Sequence, residues 1–159
     1  APGGLTLGSE SATTSGTAVT FSGIPAGTKI IFLLLDGVSF SGTSGLDITL
    51  GDSGGLETSG YFSGESALSA STVAFANNTA AFISTIGDQS AAYPYSGTIM
   101  FNLQQSSSYT WTCLGMLYAG SSSARMSMIT GTKALSAELT QLSLSGGTFD
   151  AGAASIAYM

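Results

Sequence analysis

Lys29, Arg125 and Lys133 are the only cationic side chains in 159 residues, and histidine is absent. A surface helix is built from long charged and amide side chains, which favour helical dihedrals and keep its outer face in water. This chain has almost none of them. Charged residues make up 8% of it, against about 25% in an average soluble domain. An apolar share of 43% and 22 glycines, with abundant Ser and Thr, point instead to short β-strands, Gly-rich turns and a hydroxyl-coated surface. A mean hydropathy of +0.37 is incompatible with disorder, which requires low hydrophobicity and high net charge.

The same shortage of cations excludes classes of partner. With a net charge of −6, three cations cannot supply the basic patch that neutralises phosphates, so no nucleic acid is expected. Binding to an anionic membrane surface is disfavoured for the same reason. The longest strongly apolar run, Ile30 to Leu35, is far short of the roughly 20 residues of a membrane helix, so no membrane insertion is expected either. Ala1-Pro2-Gly3-Gly4 lacks the basic and apolar regions of a signal peptide. Cys113 is the single cysteine, which leaves no intrachain disulfide and no thiolate cluster. It is expected to be a small buried hydrophobe.

Strand-like runs recur along the chain at short intervals, the pattern of a sandwich or barrel. Thr17–Gly23 alternates, with Val19 and Phe21 on one face, and Gly23-Ile24-Pro25-Ala26-Gly27 reads as a turn. Lys29–Asp36 is continuously apolar after its first residue, which predicts a central strand covered on both faces, broken by Asp36-Gly37. On this reading Phe32 is core, and its replacement by Ala would cost roughly 3–5 kcal/mol. In Gly45–Leu50, residues Leu46, Ile48 and Leu50 face one way and Asp47 and Thr49 the other. Leu56–Phe62, Val73–Phe75 and Ala80–Ile86 are weaker candidates. Thr98–Leu103 and Tyr109–Tyr118 are strong ones, with Ile99, Phe101 and Leu103 sharing one face and Tyr109, Trp111, Cys113 and Leu117 another. Gly115 marks a bulge or a close approach.

Ser106-Ser107-Ser108 predicts a hairpin loop, and Ser121-Ser122-Ser123 a similar connection to Arg125–Ile129. Leu139–Leu144 and Ala153–Tyr158 close the chain. Some nine to twelve short strands predict an all-β fold, an antiparallel two-sheet β-sandwich of jelly-roll-like type. Residues 1–16 are expected to be an N-terminal segment serving as an attachment or assembly arm, and residues 17–159 a single β-sandwich domain.

Three constellations could carry chemistry. Gly51-Asp52-Ser53-Gly54-Gly55 matches the nucleophile loop of trypsin-like proteases, but that mechanism needs a histidine to take the serine proton. A Ser–Lys dyad with Lys29 or Lys133 has no support in the spacing, so the segment reads as a Gly-rich turn. Asp36, Asp47, Asp52, Glu57, Glu65 and Asp150 are spread over separate elements, and neither a glycosidase pair nor a calcium loop can be identified. Asp52 and Glu57 form at best a partial calcium set, and these carboxylates read as solvated charges that discourage edge-to-edge strand pairing. The aromatics Tyr61-Phe62, Tyr93-Pro94-Tyr95 and Trp111 could include a sugar-stacking platform, though core packing is the commoner use. Tyr93-Pro94-Tyr95 is the best exposed candidate because Pro94 marks a loop. Met116, Met126 and Met128 read as flexible core filling. No catalytic, cofactor-binding or metal-binding residues are assigned, and binding residues are unknown.

Several motifs occur in an order that resembles a known domain. They are Phe21-Ser22-Gly23-Ile24-Pro25-Ala26-Gly27-Thr28-Lys29, Asp36-Gly37-Val38-Ser39, Gly42-Thr43-Ser44, Leu50-Gly51-Asp52-Ser53-Gly54-Gly55 and Glu57-Thr58-Ser59-Gly60-Tyr61. Near the end, Phe149-Asp150-Ala151-Gly152 and Ile156-Ala157-Tyr158 follow. The series resembles a β-rich domain of bacteriophage virion proteins, often found at the C-terminal end of tail fibres. The match runs from about Leu5 to Tyr158 and is loose in the middle third. The chain departs from the closing motif by ending in Met159 where an acidic residue is expected.

The resemblance implies a non-catalytic virion module on the outer surface of the phage particle, without cofactors, in a symmetric assembly such as a homotrimer. No shaft, heptad or collagen-like repeat accompanies it. If the 159 residues are the whole protein, a capsid decoration (cement) protein contacting the major capsid protein is the expected function. A tail-fibre tip that joins other tail proteins and recognises a host surface glycan is the alternative.

Overall fold

The computed structural model describes residues 4–71, 73–84, 93–120 and 124–159. These residues form strands β1 (Thr6–Leu7), β2 (Ser11–Ala12), β3 (Ala18–Ser22), β4 (Ile30–Phe40), β5 (Leu46–Asp52), β6 (Gly55–Leu56) and β7 (Tyr61–Ser69). They continue with β8 (Val73–Asn78), β9 (Phe82–Ser84), β10 (Tyr95–Gln105), β11 (Thr110–Ala119), β12 (Arg125–Ala134), β13 (Gln141–Ser145) and β14 (Phe149–Tyr158). The larger sheet has nine strands in the order β1-β14-β4-β10-β11-β12-β7-β8, with β2 also paired to β14. The smaller has five, β3-β13-β5-β6, with β9 paired to β5. The chain is an all-β, antiparallel, two-sheet β-sandwich. The strand count exceeds the expected nine to twelve because β1, β2 and β6 are two-residue pieces that carry no periodicity.

Alternation decides which side chains go inside. In β5, Leu46, Ile48 and Leu50 are fully buried, and in β13 Leu142 and Leu144 meet them from the neighbouring strand. The large sheet contributes Ile31, Leu33, Ile99, Phe101, Trp111, Leu117 and Ile129 to the same core. Phe82 of the small sheet spans the layers, its ring 5.6 Å from Phe101 and 5.1 Å from Tyr61. Phe40 and Phe149 stack at 5.0 Å and close one end. The chain also passes repeatedly from one sheet to the other, so the layers are joined by their connections as well as by the core.

Several expectations are corrected. Asp36-Gly37 does not end β4. The strand bends there and runs on to Phe40, with register shifts against both β10 and β14. Gly37 (φ +64°) and Gly152 (φ +89°) lie opposite each other in left-handed conformations, and a Cβ on Gly152 would stand 2.3 Å from the Gly37 carbonyl oxygen. This is a glycine-built bulge. β4 is central, but it is not covered on both faces. Ile31, Leu33 and Leu35 are buried, whereas Ile30, Phe32 and Leu34 are half-buried on the outside, because a two-layer sandwich covers only one side of each sheet.

Leu56–Phe62 is not one strand, since β6 ends at Leu56 and β7 begins at Tyr61. Gly115 is a close approach and not a bulge. Its register in β11 is continuous, and an added Cβ would lie 2.6 Å from Ile99 Cγ1. The turn at Ser106-Ser107-Ser108 joins β10 to β11 as expected. Ser121-Ser122-Ser123 and the end of Ala80–Ile86 lie outside the described residues. Residues 6–12 belong to the large sheet, since β1 and β2 both pair with β14.

Candidate functional site

The Asp52–Gly55 segment is the tip of the β5–β6 hairpin. Gly51 pairs with Leu56, Asp52 pairs with Gly55, and the Asp52 carboxylate accepts the Gly54 amide at 2.7 Å. Its other oxygen accepts the Ser136 hydroxyl at 2.6 Å. These bonds, that of Ser136 first and that of Gly54 second, hold the Asp52 carboxyl below its ordinary value. Glu57 accepts the Ser136 amide at 2.7 Å and pairs with Lys133. Burial works against the charged form of Glu57, but Lys133 and Ser136 together outweigh it and lower its pKa.

Lys133 is buried, donates to the Ala134 carbonyl at 2.7 Å, and lies 5.3 Å from the centre of the Tyr61 ring. Tyr61 receives the Leu50 amide at 2.8 Å and donates to the Glu57 carbonyl at 2.9 Å. Burial pushes its phenol up to about 12. Asp52 and Glu57 thus tie the β5–β6 hairpin to the β12–β13 connection, and their oxygens are committed to protein donors. Among the described residues no group of three or more His, Cys, Asp or Glu could hold a metal ion.

The other carboxylates divide between the interior and the surface. Glu65 faces the interior and is buried, accepting the hydroxyls of Ser84 (2.9 Å) and Ser127. Burying a carboxylate is tolerable only with such donors. Asp150 accepts the Ser39 hydroxyl, and Asp36 is exposed. The reading of these groups as solvated edge charges therefore fails at Asp52 and Glu65. Cys113 is buried as expected, and burial raises its thiol pKa.

The aromatics divide by strand parity. Tyr61 is buried and its neighbour Phe62 is 81% exposed, because successive residues of a strand point to opposite faces. Trp111 is core. Tyr95 is fully buried, its hydroxyl donating to the Ser84 carbonyl at 3.3 Å, so Tyr93-Pro94-Tyr95 is not an exposed platform. Pro94 precedes β10, and the strand carries Tyr95 inward. Tyr93 is half-buried with the Arg125 guanidinium 5.4 Å from its ring centre.

The largest departure concerns the methionines. Met116, Met126 and Met128 are not core filling, since all three lie on the outer face of the large sheet and are 45–51% exposed. The register assembles that face strand by strand. Met128 of β12 stands between Met116 of β11 and Ser66 of β7, with Phe75 of β8 beyond. Met126 stands between Tyr118 and Leu68, followed by Val73. Thr130 stands between Leu114 and Gly64, followed by Asn77. Phe62 lies beside Thr132 at the end of the face.

Among the described residues, none of the outward positions of β11, β12, β7 and β8 carries a charge. Shallow clefts cross the face. One of about 620 Å³ is floored by Gly64 and Gly131 and walled by Phe62, Asn77, Thr112, Thr130 and Thr132. One of about 290 Å³ lies between Phe75, Leu114 and Met128. The sequence signal for this face is that Tyr109–Tyr118 is apolar on both parities: Trp111, Cys113 and Leu117 on one, Leu114, Met116 and Tyr118 on the other. A strand covered on one side only needs one apolar parity.

Comparison of the chain with protein-family models, with curated proteins and with solved structures gives no match.

Proposed function

We propose that the chain is a non-catalytic structural protein of the outer surface of a bacteriophage particle, most specifically a capsid decoration (cement) protein. The observation that carries the proposal is the uncharged apolar face of β11, β12, β7 and β8, which is an assembly surface on an otherwise hydroxyl-coated sandwich. Monomeric soluble proteins rarely leave contiguous apolar patches larger than a few hundred Å² in water. The ordered series of motifs that resembles a phage virion domain supports the same reading. The partners would be further copies of the chain, as in a homotrimer, and the major capsid protein.

A second reading, a tail-fibre tip that recognises a host surface glycan, is favoured by the cleft beside Phe62. An exposed ring next to Asn77 and Thr130 suits the amphipathic face of a sugar. The copy number of the chain in intact virions, measured by quantitative mass spectrometry against the major capsid protein, decides between them. A ratio near unity is expected for decoration. A few copies per particle would overturn it in favour of the tail, and absence from virions would overturn both.

A further inference from the structure

We infer that the outer face of β11, β12, β7 and β8 packs against the same face of a second copy of this chain, in an uncharged sheet-to-sheet contact. A patch that meets itself makes a two-fold contact, so the inference puts a dimer in place of the homotrimer named above and rests on the assembly reading only for its biological setting.

The first argument is area. Phe62 and Phe75, both 81% exposed, together with Leu68, Val73, Leu114, Met116, Tyr118, Met126 and Met128, leave on the order of 900 Å² of side chain in water, against roughly 800 Å² per partner in a standard stable interface. The largest patch on a typical monomer is about 300–600 Å². The face is therefore large enough to be one half of an interface without further contacts.

The second argument is charge. The chain carries a net −6, so two copies repel wherever their charged surfaces meet. Among the described residues its carboxylates are placed elsewhere: Glu65 points into the core, Asp52 and Glu57 are tied to Ser136 and Lys133, and Asp150 is bonded to Ser39. A face cleared of charge is where like-charged copies can approach. A cationic partner would instead be met by exposed carboxylates.

The third argument is complementarity. Outside this face, the large hydrophobic residues exposed among the described residues are Leu5, Leu7, Leu56 and Met159, which offer no second patch of that size. On the outer parity of the small sheet Thr20 is exposed and Ser143 and Thr49 are buried, and all three are hydroxyl residues. The surface of a second copy that can cover the apolar face is thus that same face. Methionine suits the contact, since its unbranched side chain adapts to an opposing surface across the roughly 10 Å spacing of packed sheets.

Oxidation of the methionines by hydrogen peroxide, followed residue by residue by mass spectrometry, provides the test. Met159 is 49% exposed, inside the 45–51% range of Met116, Met126 and Met128, and serves as an internal reference. At high protein concentration the three face methionines should oxidise roughly tenfold more slowly than Met159, and on dilution the rates should converge. Sedimentation should show an oligomer that Met128→Lys converts to a folded monomer and that Thr20→Lys leaves intact.

A wild-type chain that is monomeric at every concentration, with all four methionines oxidising alike, would overturn the inference. So would an oligomer that survives Met128→Lys. If Met128→Lys fails to fold, the wild-type oxidation pattern still decides. A monomer present at unit ratio in virions would sink this inference and leave the decoration reading standing. A self-associating chain at a few copies per particle would do the reverse.

Discussion

On the outside of the small sheet, Thr20 of β3 shares a hydrogen bond of 2.9 Å with Ser143 of β13, and Thr49 of β5 stands on the other side of Ser143. On the outside of the large sheet, the corresponding row reads Met116, Met128, Ser66 and Phe75. Both rows lie across antiparallel strands, on the parity opposite to the core. They differ only in the parity that the fold does not use. Ser143 bonds to Thr20 and to the Val19 carbonyl, and both it and Thr49 are already buried, so the first row is complete in the isolated chain. The second leaves apolar surface that gains only when something covers it, at roughly 25 cal/mol per Å². The contrast separates residues that serve the fold from residues that serve assembly.

The largest expected effect tests which parity belongs to the fold. Leu33→Ala, at a fully buried position of β4, should cost about 2–5 kcal/mol in a denaturant titration, and Phe32→Ala on the outer parity less than half as much. Equal costs would erase the distinction between the two sides of β4. Next comes the polar rim between the sheets. Glu57→Gln leaves the buried Lys133 ammonium without its carboxylate and should cost about 2–3 kcal/mol, whereas Glu57→Gln combined with Lys133→Met, which removes both charges, should stay within about 1 kcal/mol of wild type.

The same rim gives a pH dependence with a defined sign. The Asp52 and Glu57 carboxyls lie below their ordinary values of 3.8 and 4.5. Their contribution to stability is therefore complete above those values and is lost as pH falls through the lowered folded-state values. Thermal melts should show a midpoint that declines in this acid range, less steeply in Asp52→Asn.

A smaller effect distinguishes the outer faces by salt. If the apolar face joins copies of net charge −6, added salt screens their repulsion and association should tighten by a few-fold between low and about 0.15 M ionic strength. Weakening with salt would point to a charged contact elsewhere. The smallest effect belongs to the hydroxyl face: Thr20→Ala should change stability by no more than about 1 kcal/mol and leave the oligomeric state unchanged in sedimentation.

Much of the fold was legible because strand periodicity is local. Leu46, Ile48 and Leu50 announce their face within five residues, as do Ile99 and Phe101, and Gly115 announces a close approach that Ile99 then makes. The errors arose where a residue's role depends on another strand. Gly37 reads as a breaker alone and as part of a bulge once Gly152 is opposite. Pro94 signals a loop but says nothing of where β10 carries Tyr95. Glu65 looks like a surface charge until Ser84 and Ser127 are placed around it. In the candidate site, Phe62 is among the aromatic candidates, but the methionines read as core because apolar character alone cannot tell a covered face from an uncovered one.

By itself, the sequence determined the class of fold and the absence of a histidine-dependent mechanism: three cations and no histidine, with 22 glycines, leave short strands and turns as the solution that composition permits. The tertiary structure decided which parity of each strand is inside, because that depends on which side of the large sheet the small one packs against. It thereby turned Met116, Met126 and Met128 from core residues into the centre of an exposed face, since one five-stranded layer covers one side of the nine-stranded sheet and leaves the other open.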